Sequence, residues 1–308
     1  MSDALESRIL RAAATTADPN ELPEFPENKS DLPSDFEYDP NEEEEVEEVE
    51  EVEEIDENEL LKYLDEQENP LYIAQRLFYK EVNTTASQAT CPTWKLECLG
   101  CKAIEDLYGH GWTTVDGLID LSVLKGAREE AQEMAKEGAF TRASDLAHSE
   151  DPFRDHTARD DWITWLDPNG SKNSPNLQKV LDFFNGPLHH DLSRMIRLRG
   201  KTEYQLAEYK PENGARYERH RDAFPTDDPE DTQQRRVTAI MYLNPGWTQR
   251  DGGELKIFGR SEGNGMTDAA DRTVAPMLGR LVIFLSGVVD HAVLPSNMER
   301  FALTAWMR

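Results

Sequence analysis

His220-Arg221-Asp222, then His291, then Arg300 nine positions on, are the residues whose types and spacing carry chemistry in this chain. Two imidazoles and one carboxylate make a facial triad that leaves open positions on a non-haem Fe(II). An arginine beyond the distal histidine can hold the far carboxylate of 2-oxoglutarate through two parallel hydrogen bonds. Together these residues point to an oxygenase.

A His-x-Asp pattern is weak by itself, because a chain with seven histidines and abundant acid meets it by chance. It recurs at His189-His190-Asp191, and His148-Ser149-Glu150 is a carboxylate variant. The segment NGPLHHDLSRMIRLRG reads as helical, with Leu188, Leu192, Met195 and Ile196 on one apolar face. Residues two apart on a helix point to nearly opposite sides, so His189 and Asp191 cannot grip one metal and are assigned to a solvated face. His148 and Glu150, in LAHSEDPFRDHTARDD, are assigned to an exposed loop. ARYERHRD alternates as a strand does, with Tyr217, Arg219 and Arg221 on one face and His220 and Asp222 on the other. Only that pair is placed to chelate.

Extended segments must carry the rest of the set. RLVIFLSGVVDHAVLPS reads as a buried strand, a turn and a second extended stretch bearing His291. RFALTAWMR alternates, with Arg300, Ala302, Thr304 and Trp306 on one face and Phe301, Leu303, Ala305 and Met307 on the other. An arginine opening an apolar strand face needs a partner, since an unpaired buried guanidinium is costly, and a bound dicarboxylate would supply one. VTAIMYLNPGW is a further strand with Thr238, Ile240 and Tyr242 on a common face. Tyr242 is either ordinary core or a second donor to that carboxylate.

From about Ile104 onward these segments resemble the prolyl hydroxylases that modify the hypoxia-inducible factor and their protist relatives. The resemblance rests on GHGWTTVDGLI, SVLKGAREEAQEMAKEGAF, DDWITWL, EYKPENGARYERHRD, RRVTAIMYLN, GGELKIF, GRLVIFLS and DHAVLPSNMERFALTAWM, in that order. It implies an Fe(II)/2-oxoglutarate dioxygenase that splits the cosubstrate to succinate and carbon dioxide while hydroxylating a protein prolyl residue. The implied fold is mainly β with flanking helices: a double-stranded β-helix, or jelly roll, with N-terminal helices packed on one side. By the same resemblance His220, Asp222 and His291 are iron ligands, and Arg300 with Tyr242 clamps the distal carboxylate. Tyr209 matches a tyrosine near the iron-proximal end of the cosubstrate, and Thr304 and Trp306 match pocket-lining residues. Dioxygen is the second cosubstrate and L-ascorbate the reductant. The insert TRASDLAHSEDPFRDHTARDD shares with the family's mobile loop little beyond position and Arg159, and AFPTDDPEDTQQR is longer and more acidic than its counterpart. Two readings compete: the same iron site acting on another protein residue or a free amino acid, and a vestigial oxygenase fold serving as an acidic-tail interaction protein.

Charge divides the chain. Residues 1–70 hold 4 of the 33 Lys and Arg but 26 of the 61 Asp and Glu, within a total of −28. A segment such as NEEEEVEEVEEVEEIDENE buries too little apolar surface to offset its ordering entropy. The expected organisation is a disordered acidic tail over 1–57, a helical segment over 58–102 and a dioxygenase domain over 103–308, with its metal and cosubstrate core in 200–308. A sharper reading makes the tail a docking segment for a basic partner. Within the helical segment, PLYIAQRLFYKEV reads as one helix with Ile73, Leu77 and Phe78 on one side. The acidic balance argues against nucleic acid as a partner. With neither a long apolar run nor the apolar centre of a signal peptide, no membrane association is expected, and the chain is placed in the cytoplasm or nucleus. Cys91, Cys98 and Cys101 fall within eleven residues, fit no common zinc spacing, and are read as reduced, partly buried thiols.

Overall fold

The computed structural model describes residues 69–88, 95–145, 158–168, 174–259 and 270–308. Pro70–Arg308 forms one compact unit. The acidic tail, ELLKYLDEQ, Cys91, and the His148 and Glu150 pair lie outside the described residues.

Eleven strands occur among the described residues: β1 (Trp112–Asp116), β2 (Thr141–Arg142), β3 (Trp162–Trp165), β4 (Glu203–Tyr209), β5 (Tyr217–His220), β6 (Val237–Tyr242), β7 (Leu255–Ile257), β8 (Arg272–Val274), β9 (Arg280–Leu285), β10 (His291–Val293) and β11 (Arg300–Met307). They form a seven-stranded sheet in the order β1-β9-β6-β11-β4-β3-β2 and a four-stranded sheet in the order β5-β10-β7-β8, with every pairing antiparallel. This is the expected double-stranded β-helix.

Strand β11 lies mid-sheet and all eight of its residues are buried. Its alternation explains why. Arg300, Ala302, Thr304 and Trp306 face the cavity, together with Gln205, Ala207 and Tyr209 of β4 and Thr238 and Ile240 of β6. Phe301, Leu303, Ala305 and Met307 face the other way and are essentially inaccessible. Helices cover that outer side. On α4 (Leu121–Lys136), which follows α1 (Pro70–Gln75), α2 (Lys80–Gln88) and α3 (Cys101–His110), Leu124, Ala127 and Ala131 are fully buried. Arg128 of α4 lies over the Phe301 ring and donates to Leu243 O, Asn244 Oδ1 and Glu299 Oε2. Glu130 of α4 accepts the Asn176 and Leu177 backbone N–H groups at the start of α5 (Pro175–Phe183), placing a carboxylate where the helix dipole favours it.

Three expectations are corrected. PLYIAQRLFYKEV is not one helix: the chain leaves α1 after Gln75, Phe78 bridges to Ile196, and α2 starts at Lys80. Leu71, Ala74, Leu77, Phe78 and Val82 are its buried residues, while Ile73 is only half-buried.

The helix carrying His189 and Asp191, α6 (His189–Met195), follows a π-helical turn at Phe184–Leu188 and buries Leu188, Leu192, Met195 and Ile196 as expected. Asp191, however, is no solvated residue. It is fully buried and accepts the backbone N–H groups of Glu97, Cys98 and Leu99, each at 2.8 Å. A segment more than ninety residues away satisfies it.

The cysteines do not share one state: Cys98 is free, whereas Cys101 is disulfide-bonded. Compartment arguments constrain redox poise and say nothing about which sulfurs the backbone brings together. Burial, then the neighbouring Asp191 carboxylate, pushes the Cys98 thiol far above its usual range, so it is inert as a nucleophile.

Candidate active site

Between the two sheets lies a cavity of about 240 Å³. Strand β5 delivers His220, the turn after it Asp222, and β10 delivers His291, which stands directly opposite His220 in the ladder. Ligand-capable atoms of the three lie within 4.8 Å of one another. The His220 and His291 Nε2 atoms approach the same Asp222 oxygen, Oδ1, at 3.6 and 3.9 Å.

The surroundings assign each atom a role. His220 Nδ1 lies 2.8 Å from Glu218 O and His291 Nδ1 lies 3.1 Å from Val289 O. Carbonyls only accept, so both imidazoles carry a proton on Nδ1, and the neutral tautomer this selects turns its Nε2 lone pair inward. Asp222 Oδ2 accepts from Thr238 Oγ1 at 2.7 Å and Trp306 Nε1 at 3.0 Å, which leaves Oδ1 for a metal. Burial pushes the Asp222 carboxyl up, but the two histidines and the Thr238 hydroxyl outweigh it and hold the group well below the usual carboxylate range. Burial lowers the His291 pKa to about 4, against the pull of Asp222, so this imidazole is neutral and ready to ligate at neutral pH. Two neutral nitrogens and one anion facing one point suit Fe(II).

At its other end the cavity holds Arg300, only 3% exposed. Its Nε donates to Gly253 O at 2.8 Å, and its guanidinium lies 4.6 and 5.0 Å from the Tyr209 and Tyr242 ring centres. Among the described residues no carboxylate pairs with it. The Tyr242 hydroxyl beside it is buried without a hydrogen-bond partner, and burial raises its pKa, against the pull of Arg300, so it stays a donor. A buried cation and an orphaned phenol side by side are what the distal carboxylate of 2-oxoglutarate would satisfy. Gly253 permits this arrangement: its φ is +72°, and a Cβ there would come within 2.9 Å of Arg300 Cδ.

Every residue expected in the site is thus in or beside one cavity, although Tyr209 stands against Arg300, with which it pairs across β4 and β11. One facial assignment fails. Tyr217 does not turn away from His220; the two rings stack 3.6 Å apart. A register shift between β5 and β10 breaks the strict alternation between Tyr217 and His220.

Sequence reasoning gave no site role to Thr238, Asp161, Gln205 or Arg235. Arg159 forms a two-pronged pair with fully buried Asp161, at 2.7 and 2.6 Å, and lies over the Tyr217 ring, backing the His220 stack. Arg235 lies 4.0 Å from the Trp306 ring centre, and Trp306 meets half-exposed Trp165 at 5.7 Å, making an aromatic wall at the mouth. A polar residue on the cavity face of a strand, as Thr238 is, was the one signal available for any of these.

The family description "2OG-Fe(II) oxygenase superfamily" matches residues 204–308, which span the triad and Arg300. A prolyl-4-hydroxylase from Pseudomonas putida is 31% identical, with 67% of this chain and 97% of that one covered and a TM-score of 0.52. A prolyl hydroxylase from Trichoplax adhaerens, solved with a peptide fragment of the hypoxia-inducible factor oxygen degradation domain, has a similar fold. It is 22% identical over 79% of this chain and 94% of that one, with a TM-score of 0.52. With 31% identity to a bacterial relative over two thirds of this chain and almost that relative's whole length, the chain belongs to the 2OG-Fe(II) oxygenase superfamily, in its prolyl hydroxylase family.

Proposed function

We propose that this chain hydroxylates a prolyl residue of a protein substrate to 4-hydroxyproline while converting 2-oxoglutarate and dioxygen to succinate and carbon dioxide. One observation carries the reading: three convergent ligand atoms and a buried arginine that no carboxylate among the described residues pairs with face each other across a single cavity. His220, Asp222 and His291 would hold Fe(II), and Arg300 with the Tyr242 hydroxyl would hold the distal carboxylate of 2-oxoglutarate. Iron, when bound, supplies the oxygen chemistry that no side chain can perform.

The chain's own groups do the positioning. Glu218 O and Val289 O fix the imidazole tautomers, and Thr238 and Trp306 aim the Asp222 carboxylate. Ile240, Leu255, Val293 and Ala302 line the space between the two ends and exclude water. Trp165 and Trp306 offer an aromatic face at the opening, against which the apolar edge of a proline ring packs. The 31% identity to a protein named a prolyl-4-hydroxylase supports the choice of substrate residue. Because the reaction consumes dioxygen, it would also suit a role in oxygen sensing.

The test is incubation of the full chain with Fe(II), 2-oxoglutarate, L-ascorbate and a proline-containing protein or peptide. Succinate should form in step with the gain of one oxygen atom on a prolyl residue, recovered as 4-hydroxyproline after hydrolysis. Succinate coupled to oxidation of another residue or a free amino acid would overturn the substrate assignment. No succinate under any condition would mark the fold as vestigial.

A further inference from the structure

We propose that Asp290 is a positioning residue that braces both candidate histidine ligands from the outer face of the smaller sheet. The inference rests on the metal-site reading given above. The His220 end of strand β5 is held by backbone pairing on one side. The strand is four residues long and, among the strands, pairs only with β10, through a ladder broken by a register shift. Its other edge meets Ala158–Asp160 through the Arg159–Tyr217 bridge, whose last backbone bond is from Glu218 N–H to Ala158 O, two residues short of His220. A strand end held so thinly needs side chains to set the position of His220.

Arg219 and Arg221 flank His220 in sequence, so they leave the strand on the side opposite the imidazole. Both reach Asp290. Arg219 Nε lies 3.1 Å from Asp290 Oδ2, its Nη2 donates to the same oxygen, and Arg221 Nε lies 2.5 Å from Oδ1. Asp290 immediately precedes His291. One carboxylate therefore ties the residues on either side of the first imidazole to the residue before the second. The brace is anchored in turn: Arg219 lies over the Phe258 ring at 4.5 Å, and the Phe258 N–H donates to Asp290 O at 3.0 Å.

The competing reading is a set of solvated ion pairs. The Asp290, Arg219 and Arg221 side chains are 21%, 56% and 33% exposed, and pairs of that kind add little to global stability. A brace acts differently from such pairs: its loss changes ligand alignment more than it changes folding. Groups that orient metal ligands from behind typically alter metal affinity by about 10- to 100-fold. Asp290 acts through the backbone and not on an imidazole nitrogen, so the lower end, roughly tenfold, is expected.

The experiment titrates Co(II), as an oxygen-stable substitute for Fe(II), into the metal-free full chain by calorimetry, at low and at high sodium chloride, with thermal unfolding of the same metal-free samples. Asp290→Asn should bind Co(II) about tenfold more weakly at low salt with little change in melting temperature. The Arg219→Gln/Arg221→Gln pair should do the same, and combining all three changes should add nothing, because they remove one brace. High salt should weaken the wild type toward Asp290→Asn and leave that variant nearly unmoved. If Asp290→Asn fails to fold, the arginine pair carries the same comparison. Equal affinity of wild type and variants at low salt, or fully additive losses, overturns the brace while leaving the metal site standing. A wild-type chain that binds no Co(II) overturns both.

Discussion

Trp306 donates its indole N–H to Asp222 Oδ2 over 3.0 Å, linking the end of the central strand to the lone anionic group of the triad. With Thr238 on the same oxygen, it leaves Asp222 one free oxygen, aimed at the two imidazoles. An aromatic residue that reads as part of the pocket wall is thus also part of the metal site's support.

Trp306→Phe keeps the ring against Trp165 and Arg235 but removes the donor. Metal affinity should fall about tenfold with little loss of stability, since groups orienting a ligand carry effects of that size. Co(II) or Fe(II) titration of the metal-free protein is the check; unchanged affinity would mean that Thr238 alone orients Asp222.

Arg300→Lys should chiefly raise the requirement for 2-oxoglutarate. Lysine keeps the charge and loses the planar fork that grips a carboxylate through two bonds. Loss of a charge-assisted hydrogen bond costs roughly 1.5–3 kcal/mol, or about ten- to a hundredfold in affinity. Iron binding should survive. Among the described residues the other candidate arginines are engaged elsewhere: Arg236 donates to the Asp228 and Asp231 carbonyls, Arg280 pairs with Asp116, and Arg159 pairs with Asp161. A 2-oxoglutarate titration of succinate release, with iron measured on the same samples, decides it.

Asp191→Asn should lower stability at neutral pH without touching the reaction. Burial opposes the charge on Asp191, but its three backbone N–H bonds prevail and hold its pKa below the ordinary value. A depressed folded pKa means that the stabilisation is fully present above the unfolded pKa, about 3.9, and is lost as pH falls toward the folded value. The variant should therefore be less stable than wild type near pH 7 by about 1–3 kcal/mol, and the gap should narrow in strong acid. Urea unfolding of both proteins at several pH values measures this; a gap that stays constant with pH would show that ionisation of Asp191 contributes nothing.

The contrast between Asp191 and Asp222 shows what local sequence can reveal. Asp222 was legible because it stands two residues from His220 in an extended segment; the strand itself ends at His220, and the turn that follows still brings the carboxylate to the imidazole. Arg300 was legible because β11 alternates cleanly and an arginine on its inner face needs a partner. Asp191 was not, since its hydrogen-bond donors come from Glu97, Cys98 and Leu99, which no pattern around Asp191 announces. Tyr217 misled for a different reason: a broken register undoes the period that assigned its face. The pairing of Arg159 with Asp161, and their place behind Tyr217, depends on a bridge between Arg159 and Tyr217 that joins segments far apart in the chain. Local alternation sets which face a residue takes; long-range pairing decides what it meets there.

The central claim is that His220, Asp222 and His291 hold a catalytic Fe(II). Its most direct test compares iron content and 2-oxoglutarate turnover of the wild type with those of Asp222→Ala. Removing the one anionic ligand leaves two neutral imidazoles, which should not retain the ion. The wild type should bind one Fe(II) per chain and release succinate, and the variant should fold, bind almost no iron and release none. Iron content and succinate release unchanged in Asp222→Ala would contradict the account.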